Sequence, residues 1–221
     1  MSYWLETAGD DLTPRPGIDG TTDADVAILG AGMTGLWTAF YLKRRDPSRR
    51  IVVVEREIAG FGASGRNGAW CAPDLNISMG RLAALHGIDA ARRTQQATYD
   101  AVDEVGRACA EERFDAGFHK GGELVLARGP QGIPALESSL REYEAFGFGD
   151  RYRLLDESQL SERVRVAGAV RALASEGPRS STLGAWSAVS PAASRRTARG
   201  SPSGPPSRTS GRRTRAAVPL S

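Results

Sequence analysis

Three glycines stand in the run Gly30-Ala31-Gly32-Met33-Thr34-Gly35, and a carboxylate, Glu55, follows 20 residues after the last of them. In this spacing each glycine has a separate task. Gly30 permits a tight turn, Gly32 lets a phosphate approach the backbone, and Gly35 allows a helix to pack closely on a strand. A pyrophosphate then sits at the helix start, around Met33 and Thr34, where unpaired N–H groups and the helix dipole favour negative charge. Glu55 can accept hydrogen bonds from both hydroxyls of a ribose, and an acid at that place disfavours a 2′-phosphate. The glycines by themselves decide little: with 26 Gly in 221 residues their spacing arises about 0.35 times by chance. Specificity comes from the elements around them.

Those elements are strand, loop, helix and strand. Asp25-Val-Ala-Ile-Leu29 is a short β-branched run, and Leu36, Ala39 and Phe40 predict a helix over 33–45. Ile51-Val-Val-Val-Glu55 predicts a second strand, apolar until its last residue, as expected where both faces of a parallel sheet are covered. Together they make a right-handed βαβ unit. The fold class that follows is α/β, a Rossmann-like FAD/NAD(P)-binding domain with a parallel sheet. Glu55 does not separate NAD from FAD, because both contain ADP.

The next segment does separate them. Phe61-Gly-Ala-Ser-Gly-Arg-Asn-Gly68 resembles the stretch that follows the acidic residue in the D-amino-acid-oxidase family, and most resembles its gamma-glutamylputrescine-oxidase-like members. Further similarities are Ser2-Tyr3-Trp4, the Val-Ala-Ile-Leu-Gly-Ala-Gly-Met-Thr-Gly-Leu run from Val26, and Gly121-Gly-Glu-Leu124; the resemblance spans roughly residues 2–175. It implies FAD as cofactor, held by Gly30, Gly32, Met33, Thr34, Gly35, Glu55 and Arg56 on the adenosine side. Gly62, Ala63, Ser64, Arg66, Asn67 and Gly68 are then expected at the pyrophosphate, ribityl chain or ring edge. The residue types agree: Ser64 and Asn67 donate hydrogen bonds, Arg66 brings fixed positive charge, and Gly62, Gly65 and Gly68 leave room. The competing reading is a Gly-rich surface loop. Family members often carry a second glycine after Gly68, where this chain has Ala69.

The rest of the pattern predicts an irregular lead-in over 1–22, the FAD-binding part over 23–85, part of an α+β substrate domain over 86–176, and a disordered tail over 177–221. Residues 79–113 predict one or two helices, with Leu82, Leu85, Ile88, Ala97, Val102, Val105 and Cys109 as apolar positions. Strands are predicted at 123–127 and 152–155, a helix at 133–146, and a capped helix start at Asp156-Glu-Ser-Gln-Leu160. Cys71 and Cys109 have no C-x-x-C spacing and are expected to be reduced structural thiols, and no metal site is expected. His86 and His119 lack a neighbouring ligand or carboxylate and read as solvated or core histidines. Trp70 is either a cavity-lining or a packed core residue.

The chain's net charge of +3 conceals a division: residues 177–221 hold eight Arg and no Asp, Glu or Lys, so they carry +8 and the first 176 carry −5. The pI of 9.1 therefore describes the tail. Of its 45 residues, 21 are Ser, Pro or Gly, too few apolar groups remain for a core, and nucleic acid is not expected as a partner. No run of about 18 apolar residues appears and Met1–Leu12 is acidic, so a cytoplasmic protein without membrane contact is expected.

The resemblance implies oxidation of a C–N bond in an amine or amino acid, with hydride passing to flavin N5 and the imine then hydrolysing. No residue is identified as a catalytic base. Similar proteins return to the FAD domain late in the chain, so this form is expected to be truncated, of doubtful activity and prone to aggregate. The tail is expected to be an out-of-frame translation. Codons for Ser180–Ser187 exist that, two nucleotides on, read Ile-His-Pro-Gly-Arg-Leu-Val, and the gene's codons 170–190 test this. An NAD-dependent dehydrogenase and a nonenzymatic protein with a nucleic-acid-binding tail are the alternatives.

Overall fold

The computed structural model describes residues 2–7, 9, 11–68, 70–113 and 116–175, and the backbone of two short strands at 181–182 and 217–220. These residues form two compact units, one built on the chain up to Gly68 with strand 217–220, the other on residues 70–182. Tertiary contacts divide the described chain after Gly68.

The first unit opens with helix α1 (Tyr3–Thr7), where the sequence predicts only an irregular lead-in. Its five residues lack the length to be helical alone; Leu5, 7% exposed, holds it to the body. Strand β1 (Val26–Leu29), helix α2 (Met33–Arg45) and strand β2 (Ile51–Val54) then form the expected parallel βαβ unit, in register from Val26↔Ile51 to Leu29↔Val54. Lys43, Arg44 and Arg45 occupy the last turn of α2, where cations complement the helix dipole. The core is Ala31, Ala39, Ile51 and Val53, with Val26, Ile28, Leu36, Leu42 and Ala59 packed against it.

The expectation that both sheet faces are covered does not hold among the described residues. Burial alternates along β1 and β2, the mark of one covered face. Ile51 and Val53 face α2, whereas Leu29 is 85% exposed.

Asp25 closes the base of this sheet. Its Oδ2 accepts from Arg50 N at 2.8 Å and its Oδ1 from Arg50 Nη2 at 2.9 Å, and these bonds hold the carboxyl at about 2, down from an ordinary 3.8. A depressed native pKa stabilises the fold above the unfolded value, and that contribution disappears as pH falls through the native one. Asp25→Asn is therefore expected to flatten the loss of stability between pH 3.8 and about 2. Urea midpoints of both proteins across that range test this, and parallel curves would refute it.

The second unit begins with β3 (Trp70–Cys71) and helices α3 (Met79–His86) and α4 (Ile88–Glu111), resolving the 79–113 pattern into two helices broken at Gly87, φ +85°. The buried stripe of α4 is Ala91, Gln95, Tyr99, Val102, Ala108 and Cys109, so two polar residues lie where the sequence counts only apolar ones. Both are satisfied: Gln95 Nε2 donates to Pro73 O at 2.9 Å and Tyr99 OH lies 3.2 Å from Tyr152 OH. Ala97, counted among the apolar positions, is exposed.

Strands β4 (His119–Lys120) and β5 (Leu124–Arg128), helix α5 (Ile133–Ala145), strand β6 (Tyr152–Leu155) and helix α6 (Glu157–Ser161) follow. Asp156 and Gln159 form the predicted cap as a reciprocal capping box. Strand β7 (Ala169–Ser175), which the sequence pattern does not reveal, lies between β5 and β6 and pairs antiparallel with both. Its alanines hide it: Ala172 and Ala174 are fully buried but lack the β-branched signature of a strand. Cys71 and Cys109 are not joined in a disulfide, and burial, with Cys71 nearby, pushes the Cys109 thiol up.

Two strands arise from the stretch expected to be disordered: β8 (Ser181–Thr182), between β3 and β4, and β9 (Ala217–Leu220), antiparallel to β2. Pro219 stands opposite Val52 in β9, a place open to proline because this strand is the sheet's edge. The remaining expectations for the tail, the arginine-rich arm and the frame shift at 180–187 included, lie outside the described residues apart from Ser181 and Thr182. No helix among the described residues is long and apolar enough to cross a membrane.

Candidate functional site

Gly30 leaves β1 at φ +97° and donates its N–H to Val54 O at 2.7 Å. This is the left-handed turn that favours glycine, and it starts α2 beside the end of β2. Gly35 sits where helix and strand touch: a Cβ there would lie 2.0 Å from Gly30 O and 3.3 Å from Ile28 Cγ2. Gly32 caps α2, and a Cβ on it would meet Ser64 Oγ at 3.0 Å. The close approach at Gly32 is thus made by this chain's own Ser64 hydroxyl.

Glu55 and Ser64 tie the pieces together. Glu55 Oε2 accepts from Ala31 N at 2.9 Å, inside the glycine loop, while Oε1 accepts from Arg56 N at 2.8 Å and Glu57 N at 3.1 Å. Three N–H donors fix the carboxylate at the mouth of the loop. Ser64 Oγ accepts from Met33 N at 2.9 Å and so caps the first turn of α2 from 31 residues away. Asn67 Nδ2 donates to Ser64 O at 2.6 Å, and Gly60 N donates to Ala31 O at 2.8 Å. Ala63–Gly65 forms a 3-10 turn, where a Cβ on buried Gly65 would lie 2.4 Å from Gly60 O.

The predicted residues therefore divide. Gly30, Gly32, Met33, Gly35, Glu55, Ser64 and Asn67 converge on one cradle at the start of α2. Thr34 is exposed beside it, and Gly62 and Gly68 stand in open space. Exposed Ala63 begins the 3-10 turn. The Arg66 guanidinium lies 4.5 Å over the Phe61 ring, a contact that holds the cation at the segment's surface. Arg56 contributes its N–H to Glu55, but its side chain turns outward to Glu57 at 3.3 Å. The sequence reading misses Ala31, Gly60, and the grip of Ser2 and Trp4 on this segment. The similarity at Ser2-Tyr3-Trp4 is the signal that could have found the last of these.

His86 and His119 are both exposed. Trp70 is 62% exposed, which rules out the packed-core reading. Among the described residues no three His, Cys, Asp or Glu side chains are grouped to hold a metal. In the second unit burial, with Asp74 nearby, pushes the Glu123 carboxyl up, and burial with the Tyr143 and Tyr99 hydroxyls pushes Tyr152 up. Polar residues, among them Asp74, Asn76, Gln95, Ser139 and Glu142, line an open cleft of about 350 Å³ there.

A family model described as FAD dependent oxidoreductase, DAO, matches residues 25–178. Gamma-glutamylputrescine oxidoreductase of Escherichia coli is 26% identical over 172 residues, covering 76% of this chain and 39% of that protein. L-amino acid deaminase from Proteus vulgaris superposes with a TM-score of 0.56 at 18% identity, over 79% of this chain and 43% of that one. L-alpha-glycerophosphate oxidase from Mycoplasma pneumoniae, solved with FAD bound, gives 0.56 at 18% identity over 76% and 41%. The chain thus spans less than half the length of these proteins.

Proposed function

The chain belongs to the DAO family of FAD dependent oxidoreductases, and from that premise we propose that its first unit holds FAD for the oxidation of an amine or amino acid. One observation carries the proposal: the glycine loop, Glu55 and the 61–68 segment form one cradle, joined by Ala31 N to Glu55 Oε2 and Met33 N to Ser64 Oγ, each 2.9 Å. The donor set fits the group. Gly32, Thr34 and Gly35 present backbone to a pyrophosphate at a helix start, Gly30 and Met33 hold the turn through their own bonds to Val54 O and Ser64 Oγ, and Glu55 is a fixed acceptor for ribose hydroxyls. Arg56 offers only its backbone. Arg66 brings a positive charge to the surface of the segment, Gly62, Ala63 and Gly68 leave it uncrowded, and Ser64 and Asn67 set its shape.

FAD, when bound, supplies the two-electron acceptor for oxidation of a C–N bond. The residues of this chain bind and orient it. In this reading Ser64 keeps the first turn of α2 capped, and Glu55 keeps the loop closed against β2. Gamma-glutamylputrescine oxidoreductase and L-amino acid deaminase, by their names, act on an amine and on amino acids, which supports a substrate of that class.

The purified chain, mixed with FAD and desalted, is expected to retain flavin absorbance, and Gly32→Val to lose it, since the added side chain fills the approach beside Ser64 Oγ. Retention of NAD without flavin would overturn the proposal in favour of a dehydrogenase.

A further inference from the structure

We propose that α1 is a strap that sets the geometry of the 61–68 segment, with Ser2 and Trp4 as positioning residues for FAD; this rests on the function proposed above. A five-residue helix does not hold itself together in water, so the contacts of α1 are the reason it forms. Leu5 packs at Gly65, where a Cβ would lie 3.7 Å from Leu5 Cδ2. The Ser2 hydroxyl accepts from Leu5 N at 3.3 Å, capping α1, and donates its single proton to Gly65 O. Cap and anchor share one hydroxyl, so its removal in Ser2→Ala would take away both. Trp4 Nε1 donates to Asn67 O at 2.6 Å. An indole N–H only donates, and its partner here is a backbone carbonyl 63 residues away.

The strap reaches the cradle through the segment. From Asn67 the path runs by Nδ2 to Ser64 O at 2.6 Å, and from Ser64 Oγ to Met33 N at 2.9 Å. The first turn of the chain is thereby tied to the first turn of α2. The planar trans peptide adds a direction: with Asn67 O held at Trp4, the N–H of Gly68 points the opposite way, away from α1. A Cβ on Gly68 would meet nothing within 4 Å, so the end of the segment is uncrowded where the strap sets the peptide's direction. Gly65 O, held by Ser2, fixes the preceding turn. Neither Ser2 nor Trp4 needs to touch the cofactor, because what they fix is the orientation of the peptides that do.

The test compares the full chain with Trp4→Phe, which keeps a ring and removes the N–H donor, and with Tyr3→Phe, a control at a residue 67% exposed. Three quantities are read: amide hydrogen exchange at Gly65 to Gly68 without ligand, affinity for FAD, and affinity for ADP. Trp4→Phe is expected to speed exchange at those amides and to weaken FAD about tenfold, as loss of one strong hydrogen bond would, while ADP binding and the control stay at the wild-type level. A general loss of structure would weaken ADP as well, and overturns the positioning role. Unchanged exchange, or equal FAD affinity in Trp4→Phe and wild type, overturns the strap alone. A wild-type chain that binds ADP but not FAD overturns the flavin reading and the strap's role in it.

Discussion

Gly35→Ala will destabilise the first unit by about 1–3 kcal/mol and abolish retention of FAD. The methyl group would lie 2.0 Å from Gly30 O, with Gly30 C at 3.2 Å and Ile28 Cγ2 at 3.3 Å. Two of these three atoms are backbone, so no rotamer change relieves the contact; α2 must move off β1. That movement opens the core of Ala31, Ala39, Ile51 and Val53 and carries the start of α2 away from Ser64. Gly62→Ala is the control, because Gly62 has φ −72° and nothing within 4 Å of the added carbon. Its stability should match the wild type. Urea unfolding followed by far-ultraviolet circular dichroism measures both, and a Gly35→Ala protein with the wild-type midpoint would show that helix and strand are not packed as described.

Glu55→Gln should be the second large effect, and it acts on binding as well as on stability. The carboxylate satisfies three backbone N–H groups at once, on Ala31, Arg56 and Glu57. An amide offers one acceptor oxygen and turns an NH2 toward donors, so either Ala31 or the Arg56–Glu57 pair loses its partner. Hydrogen bonds to a charged group are worth about 1.5–3 kcal/mol, which corresponds to a roughly ten- to hundredfold loss in ADP affinity if the loop must be closed for ribose to bind. Calorimetric titration with ADP and with FAD measures it, and the two affinities should fall together. Unchanged ADP affinity would remove Glu55 from the nucleotide site.

The amino-acid sequence determined those parts of this protein whose physics is local. Gly30, Gly32 and Gly35 prescribe a turn, a close approach and a helix–strand contact through their missing side chains, and Ile51–Val54 is a strand through its β-branched run. Asp156 and Gln159 announce their capping box because both partners lie within one turn. Glu55 is marked by ending a strand at the right distance from the loop.

Tertiary structure decided what depends on partners far apart in the chain. Helix α1 has no helical signal of its own and exists through Gly65 and Asn67, some 60 residues away. Strand β7 is rich in alanine and becomes a strand because β5 and β6 flank it. Gln95 and Tyr99 are polar by type, yet buried because Pro73 O and Tyr152 OH wait for them. Ser64 could be read as a donor to a ligand; only the fold shows its hydroxyl capping α2 at Met33. Side-chain chemistry and short-range spacing are written in sequence order, whereas a hydrogen-bond partner or a covering face is fixed only when distant segments meet.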